Sequence, residues 1–507
     1  MNIQRGPTGR LTCAGAAALL ALTACAVGPN YHPPARPTQD GYTREGLPPQ
    51  TVSTGVTGPG AEAQRFQLGT DLTGEWWTLF GSAKLDALIE QAMASYPDIA
   101  AQQAALRAAR ENVRAEEGNF LPHFEGVGNA SRAQTPGALY FPGFPNFIEN
   151  FFSATVSVTY TFDFFGKERR TVEALQAQAV QQGFVLEASY LSLTSEVVSA
   201  AIQVASVREQ IAATQDIIAL EEQQLGVVQN RFRLGSQTRA DVLLQRSNLA
   251  TVRATLPALQ QQLAVAEHQL AILTGRSPRD AIPVELGLAD LQLPQDLPVS
   301  LPSALVAQRP DIRQQAAVVH QMSAKIGVAT ANMLPQVSLA STYLGNESTM
   351  ASTLAEASSG VWSLGGQITA PLFQGGTLRA ERRAAVDAYE QAAAQYRLVV
   401  LQAFQAVADA LTALENDAQA LNAQRDALND AQSSLSLTQQ QFAVGAVDST
   451  TLLQAQQTYQ QARLNFVRAL ASRYTDTVTL FAALGGGWWH RNDPGTLPQL
   501  RKDFPNG

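Results

Sequence analysis

The sequence predicts a mainly α protein with a β-barrel portion, in which long helices form a coiled-coil barrel and each chain adds four transmembrane strands. Three observations predict it. The stretch from Thr377 to Val444 contains neither Gly nor Pro, residues that cost a helix interior about 1 and about 3 kcal/mol. The same plan of elements occurs twice along the chain. Between the short and the long helix of each half lies a pair of segments in which apolar and polar residues alternate.

Filled with Ala, Gln, Leu, Arg and Glu, the Thr377–Val444 stretch reads as one helix about 100 Å long, several times the ordinary globular length of about 11 or 12 residues. In its second half Phe404, Val407, Leu411, Leu414, Ala418, Leu421, Arg425, Leu428, Ala431, Leu435, Thr438 and Phe442 follow at spacings of three and four. That period is a seam for neighbouring helices. The first half supplies its counterpart from about Lys167 to Phe232, with a seam of Leu186, Tyr190, Leu193, Val197, Ala200, Val204, Val207 and Ile211.

The chain starts with a destination signal. Arg5 and Arg10 precede the small apolar run Leu11–Leu22, too short for a spanning helix and suited to a signal-peptide core. Leu22-Thr23-Ala24-Cys25 closes it. It resembles a bacterial lipobox, which implies cleavage before Cys25 and acyl chains (a diacylglycerol and an N-acyl group) on that residue; an ordinary signal peptide with a chance cysteine is the competing reading. Residue 26 is Ala rather than Asp, which by the same resemblance points to the outer membrane. Cleavage leaves Cys25 as the only cysteine, so no disulfide forms within the mature chain.

The composition excludes several classes. A net charge of −8, a pI of about 5.3 and only 15% charged residues argue against a nucleic-acid partner. His32, His123, His268, His320 and His490 are scattered without ligand spacing, and one mature cysteine cannot build a thiolate zinc site. Gly485-Gly486-Gly487 follows a helix, not a strand, and so reads as a terminating turn rather than a phosphate loop. No enzyme, metal or cofactor is expected.

After a Pro- and Gly-rich arm to about Thr70 and a short helix from Ser82 to Tyr96, the repeat begins. Tyr96-Pro97-Asp98-Ile99 returns as Arg309-Pro310-Asp311-Ile312, Asn119-Phe120-Leu121-Pro122 as Asn332-Met333-Leu334-Pro335, and Arg231-Phe232-Arg233-Leu234-Gly235 as Gln441-Phe442-Ala443-Val444-Gly445. The resulting plan is a signal peptide (1–24), a lipidated arm with a short helix (25–96), a first repeat (97–275, hairpin 120–165, tip near 235), a linker (276–309), a second repeat (310–486, hairpin 334–373, tip near 445) and a tail (487–507).

In the first hairpin Ala154, Val156, Val158, Tyr160, Phe162 and Phe164 alternate with Thr155, Ser157, Thr159, Thr161 and Asp163; in the second, Trp362, Leu364, Ile368, Ala370 and Leu372 alternate more weakly with Ser363, Gln367 and Thr369. Outer-membrane strands need about 9 to 11 such residues, although a half-buried soluble sheet fits the alternation equally well. Tyr140, Phe141, Phe144, Phe147, Phe151 and Phe152 read as a Pro-rich aromatic loop between strands. Four strands cannot close a barrel, whose smallest form has about eight, so several chains must share one.

Cys25-Ala26-Val27-Gly28-Pro29-Asn30-Tyr31, Trp77-Thr78-Leu79-Phe80, Arg309-Pro310-Asp311, Leu334-Pro335, Pro371-Leu372-Phe373-Gln374-Gly375-Gly376 and Leu484-Gly485-Gly486-Gly487-Trp488 together resemble the TolC-like outer-membrane factors, in the OprM- and NodT-like lipoprotein branch that serves resistance-nodulation-division (RND) pumps. The resemblance implies a homotrimer with a twelve-stranded barrel, set in outer-membrane lipid and joined to a periplasmic adaptor (membrane fusion protein) and an inner-membrane RND transporter, passively conducting drugs or other small amphiphiles. Two other readings compete: the duct of an ATP-driven type I secretion system, and a structural periplasmic coiled-coil lipoprotein that is no channel.

The tips Arg231–Asp241 and Gln441–Thr451 are the candidate site, since the resemblance places a periplasmic gate there. Asp241 and Asp448 are expected either to ring a narrow mouth with carboxylates or to cap the returning helices. Arg231 and Arg239 are gate candidates through ion pairs. Arg233, Leu234, Gly235, Val444 and Gly445 are adaptor-contact candidates, and solvated helix-end charge is the alternative for the arginines. The acidic residue that the resemblance leads one to expect three positions further on is absent, because Leu244 and Gln454 stand there.

Overall fold

The computed structural model describes residues 26–35, 37–39, 41–53, 60–136, 141–280, 286–348 and 361–491. Cys25, residues 1–24 expected as a signal peptide, Tyr140 and the end of the tail lie outside them. In chain order the elements are β1 (Arg65–Leu68), α1 (Ala83–Ser95), α2 (Pro97–Glu117), β2 (His123–Thr135), β3 (Phe147–Phe162), α3 (Lys167–Arg233), α4 (Arg239–Leu273), β4 (Asp296–Val299), α5 (Pro302–Gln308), α6 (Pro310–Ala331), β5 (Gln336–Ser348), β6 (Val361–Thr369), α7 (Thr377–Ala443) and α8 (Ser449–Ala483). Helices α3 and α7 are 67 residues each, hence about 100 Å long.

The chain divides into two compact units. One comprises residues 1–34, 105–182 and 315–396; the other holds 35–104, 183–314 and 397–507.

The first unit contains a four-stranded antiparallel sheet in the order β2-β3-β5-β6. Continuous register from His123↔Thr159 to Thr135↔Phe147 makes Phe147, Phe151 and Phe152 strand residues, not the loop residues expected. The reason is that β3 runs seven residues beyond the alternating run that begins at Ala154, still paired to β2. Asp163 then starts α3: its carboxylate accepts the N–H groups of Glu168 (3.1 Å) and Arg169 (3.0 Å), which have no helical acceptor at a helix start.

In the same unit, residues 26–31 are strapped to α3 and α6. The Val27 N–H donates to the Phe165 carbonyl (3.1 Å). Arg170 donates to the Val27 carbonyl (3.2 Å), to Asn30 Oδ1 (2.8 Å) and to Glu173 Oε2 (2.6 Å), while Glu173 Oε1 lies 3.0 Å from His320 Nε2. The Tyr31 ring stacks on His320 at 4.2 Å. Gly28 holds φ +95°, and a Cβ there would meet Gly327 Cα at 2.5 Å; the segment lies that close only because both residues are glycine.

The second unit carries the helical seams. From Val407 to Phe442 every predicted seam position of α7 is buried except Leu428, which is half-buried; on α3 the positions from Leu186 to Val207 are all buried and Ile211 is half-buried. The linker and the arm are not mere connectors here, since β1 and β4 pair in parallel, Arg65↔Asp296 through Leu68↔Val299. Fully buried Arg473 on α8 collects the arm: its guanidinium donates to the carbonyls of Gly60 (2.5 Å) and Glu62 (2.8 Å) and to Thr51 Oγ1 (3.2 Å).

Candidate functional site

The two tips close by the same backbone device. At the end of α3 the N–H of Ser236 returns to the Arg231 carbonyl (2.9 Å) and that of Gly235 to Phe232 (3.0 Å); at the end of α7, Ala446 returns to Gln441 (2.8 Å) and Gly445 to Phe442 (3.1 Å). These are paired Schellman closures. They require the left-handed φ of +77° at Gly235 and +78° at Gly445, a conformation glycine adopts without steric cost.

The returning helices are capped by a Thr and an Asp in exchanged positions. Thr238 is the N-cap of α4 and receives the Asp241 N–H, while Asp241 Oδ2 accepts the N–H of Thr238 (2.9 Å). In the other tip Asp448 is the N-cap of α8 and accepts from the N–H (2.8 Å) and hydroxyl (2.7 Å) of Thr451. Asp241 and Asp448 are therefore not equivalent positions, and both act as caps. Asp241 also receives the Ser449 hydroxyl from the other tip. That bond, followed by those from Thr238, holds its carboxyl below the usual range; the Thr451 bonds do the same for Asp448.

Arg231 ties the tips together without an ion pair. Its guanidinium donates to the carbonyls of Phe442 (2.7 Å) and Ala443 (2.6 Å) and sits 4.5 Å from the Phe442 ring centre. Within the chain its partners are carbonyls where an ion pair was expected: the last carbonyls of α7 have no helical donor and carry the negative end of the helix dipole, so they serve as the anion. Below them Val228, Val242, Leu435, Phe442 and Leu452 form a buried cluster. Arg233 bonds only its neighbour Asn230 among the bonds described, and Arg239 is exposed. Leu234 and Val444 are 83% and 82% exposed, apolar side chains offered to solvent at both turns.

The sheet has two chemically distinct faces. Register across β3, β5 and β6 sets Val158 beside Ser341 and Leu364, Tyr160 beside Leu339 and Gly366, and Phe162 beside Val337 and Ile368. Side chains of directly paired residues share a face, so these positions form one mostly apolar face, interrupted by Ser341 and Gly366. Ser157, Thr159, Thr161, Ser338, Thr342, Ser363, Gln367 and Thr369 fall on the other. Trp362, Leu364 and Ile368 are 73%, 63% and 72% exposed in the chain.

Comparison with known proteins places this geometry. Residues 88–276 and 301–486, most of the chain, match the family described as outer membrane efflux protein. The chain belongs to the outer membrane efflux protein family. It is 30% identical over 422 residues to the pyoverdine export outer membrane protein OpmQ of Pseudomonas aeruginosa, covering 82% of this chain and 87% of that one. To outer membrane protein OprJ of the same species it is 26% identical over 475 residues, covering 93% and 95%. Two solved structures share the fold. The outer-membrane channel OprN has a TM-score of 0.79 at 24% identity (92% of this chain, 100% of that chain), and the Campylobacter jejuni CmeC channel a TM-score of 0.79 at 20% identity (94% and 98%).

This efflux protein is thus an outer-membrane channel of the TolC-like fold. Its tip residues missed by sequence reasoning are Ser449 and Phe442, and the repeat held part of the signal. Counting from Gly235 and Gly445 puts Thr238 opposite Asp448 and Asp241 opposite Thr451. That alignment announces exchanged caps, whereas nothing in sequence places Arg231 over Phe442.

Proposed function

We propose that the efflux protein works as the exit duct of a tripartite pump, as a homotrimer whose chains each contribute four strands to one twelve-stranded barrel and their long helices to one tunnel. An inner-membrane RND transporter and a periplasmic adaptor supply the substrate, and the duct conducts it passively. Leu234 and Val444, with Gly235 and Gly445 between the helices, are the adaptor's contact, because exposed apolar side chains on both turns give an interlocking partner something to bury. Cys25, once acylated, anchors the arm in the outer membrane.

The observation that supports this best is the sheet. One face is mostly apolar, and among the described residues β2 and β6 each have a neighbour on one side only. An open edge with unpaired N–H and C=O groups is not tolerated in lipid, so further copies must complete the ring. Gel migration of the unheated and the boiled protein tests it. A heat-modifiable trimer that opens ion-conducting channels in planar bilayers is expected. Monomeric migration without channels overturns the duct, and a mass lacking acyl chains on Cys25 overturns the anchor alone.

A further inference from the structure

The polar face of the sheet changes character at one end. From Thr161 to Ser153 along β3 it carries Ser and Thr at every second position; continuing the alternation gives Phe151, Glu149 and Phe147. Their partners on β2, Ser131, Ala133 and Thr135, are too small to cover two rings and a carboxylate. Phe151 and Glu149 are exposed. The aromatic surface continues into the loop, where Phe147 meets Phe144 at 6.1 Å and Phe144 meets Phe141 at 4.8 Å, both edge to face. Arg132, the nearest cation in the facing strand, pairs with Asn150; alternation sends it to the opposite face, so it does not neutralise Glu149.

Strand lengths place this patch beyond the membrane. The alternating run of β3 from Ala154 to Phe162 has 9 residues, which is what a barrel strand needs. Residues 147–153 are additional. On the opposite face this outer stretch brings in Arg132, Gln134 and Asn150 beside Ile148 and Phe152, a mixture suited to the lipid headgroup level and not to hydrocarbon.

We propose that Phe147, Glu149 and Phe151, extended by Phe144 and Phe141, form an exit site on the bore that takes hydrophobic organic cations, with the rings receiving the apolar body and Glu149 the charge. This rests on the duct reading, which makes the polar face the bore. An aromatic face attracts a cation through its quadrupole and strips little hydration from a diffuse one. A carboxylate between two rings adds a net negative charge to that attraction and so strengthens the preference for cations.

The full-length protein in planar bilayers tests the site, with tetraphenylphosphonium and the shape-matched anion tetraphenylborate as probes added on the hairpin side. The wild-type channel is expected to be blocked preferentially by the cation. Phe147→Ser with Phe151→Ser should raise the half-blocking concentration about tenfold, the scale of one to two cation–π contacts. Phe151→Leu, which keeps apolar bulk without a π face, should raise it in the same direction, and Glu149→Gln should weaken the preference for cation over anion, leaving the part the rings supply. Heat-modifiable migration checks that each variant assembles. Equal block in wild type and variants overturns the site while leaving the duct standing; absence of any channel in the wild type overturns the duct reading and the site with it.

Discussion

Arg231 caps a helix other than its own: from the last turn of α3 it donates two hydrogen bonds to Phe442 and its neighbour at the end of α7 and lies 4.5 Å over the Phe442 ring. One side chain thus joins the tips of the two repeats in one chain.

Replacing Arg231 with Ala should therefore loosen the tips, since hydrogen bonds to a charged donor contribute roughly 1.5–3 kcal/mol each. Arg231→Lys should recover only part, because an ammonium lacks the planar fork and stacking surface. Faster amide exchange at 440–446 and higher single-channel conductance are expected, in the order Ala over Lys over wild type.

Asp241 and Asp448 are ionised caps with lowered pKa values. Groups of this kind contribute stability above their unfolded pKa, near 4, and lose it as pH falls through the folded value. Tip protection in amide exchange should decline only below about pH 4. Asp241→Ala should cost about 1 kcal/mol as a lost cap. With Asp448→Ala it should raise single-channel conductance or weaken block by multivalent cations, and unchanged traces would leave both residues with capping alone.

Asp417 on α7 behaves in the opposite sense. Burial first, then Asp476 on α8, pushes its carboxyl up to about 7, with Arg473 opposing. Between the unfolded value near 4 and about 7 the folded chain binds a proton that the unfolded chain has released, so stability falls as pH rises through that window. The melting temperature in detergent should drop from pH 5.5 to pH 8 in the wild type. Asp417→Asn should flatten that slope.

Arg473 is a fully buried charge of the second unit. Its pKa is lowered by burial, and its bonds go equally to backbone carbonyls (Gly60, Glu62) and to side-chain oxygens (Thr51, Gln64) of the arm. Arg473→Ala leaves those carbonyls without donors and opens a cavity, and should cost about 3–5 kcal/mol. A drop in melting temperature of several degrees is the expected readout.

The strap of residues 26–31 depends on Glu173, whose pKa is lowered by its bond to His320 and then by Arg170. Glu173→Gln keeps the shape but weakens both bonds, and Gly28→Ala forces a Cβ against Gly327. Limited proteolysis should cut within 26–34 faster in either variant. In the wild type the strap should hold above the unfolded Glu value near 4.3 and loosen as pH falls below it.

Sequence by itself determined the elements and the family. Thr377–Val444, free of Gly and Pro, had to be one helix because nothing in it breaks the backbone ladder, and the structure ends that helix at Ala443. Alternation over Ala154–Phe162 specified a strand with unlike faces, since side chains on a strand point to opposite sides in turn. Glycine at 235 and 445 marked the turns, because a left-handed φ leaves few other choices.

Only the tertiary structure decided what meets what. Arg231 finds Phe442, Ser449 finds Asp241, and His320 finds Glu173 and Tyr31 across separations that no local period encodes. The same holds for the common apolar face of β3, β5 and β6, which depends on register between strands far apart in the chain. Local propensity is a property of neighbours in sequence; register and the pairing of helix ends are settled by packing between distant segments, where a slip of one residue would turn every side chain of a strand to the wrong face.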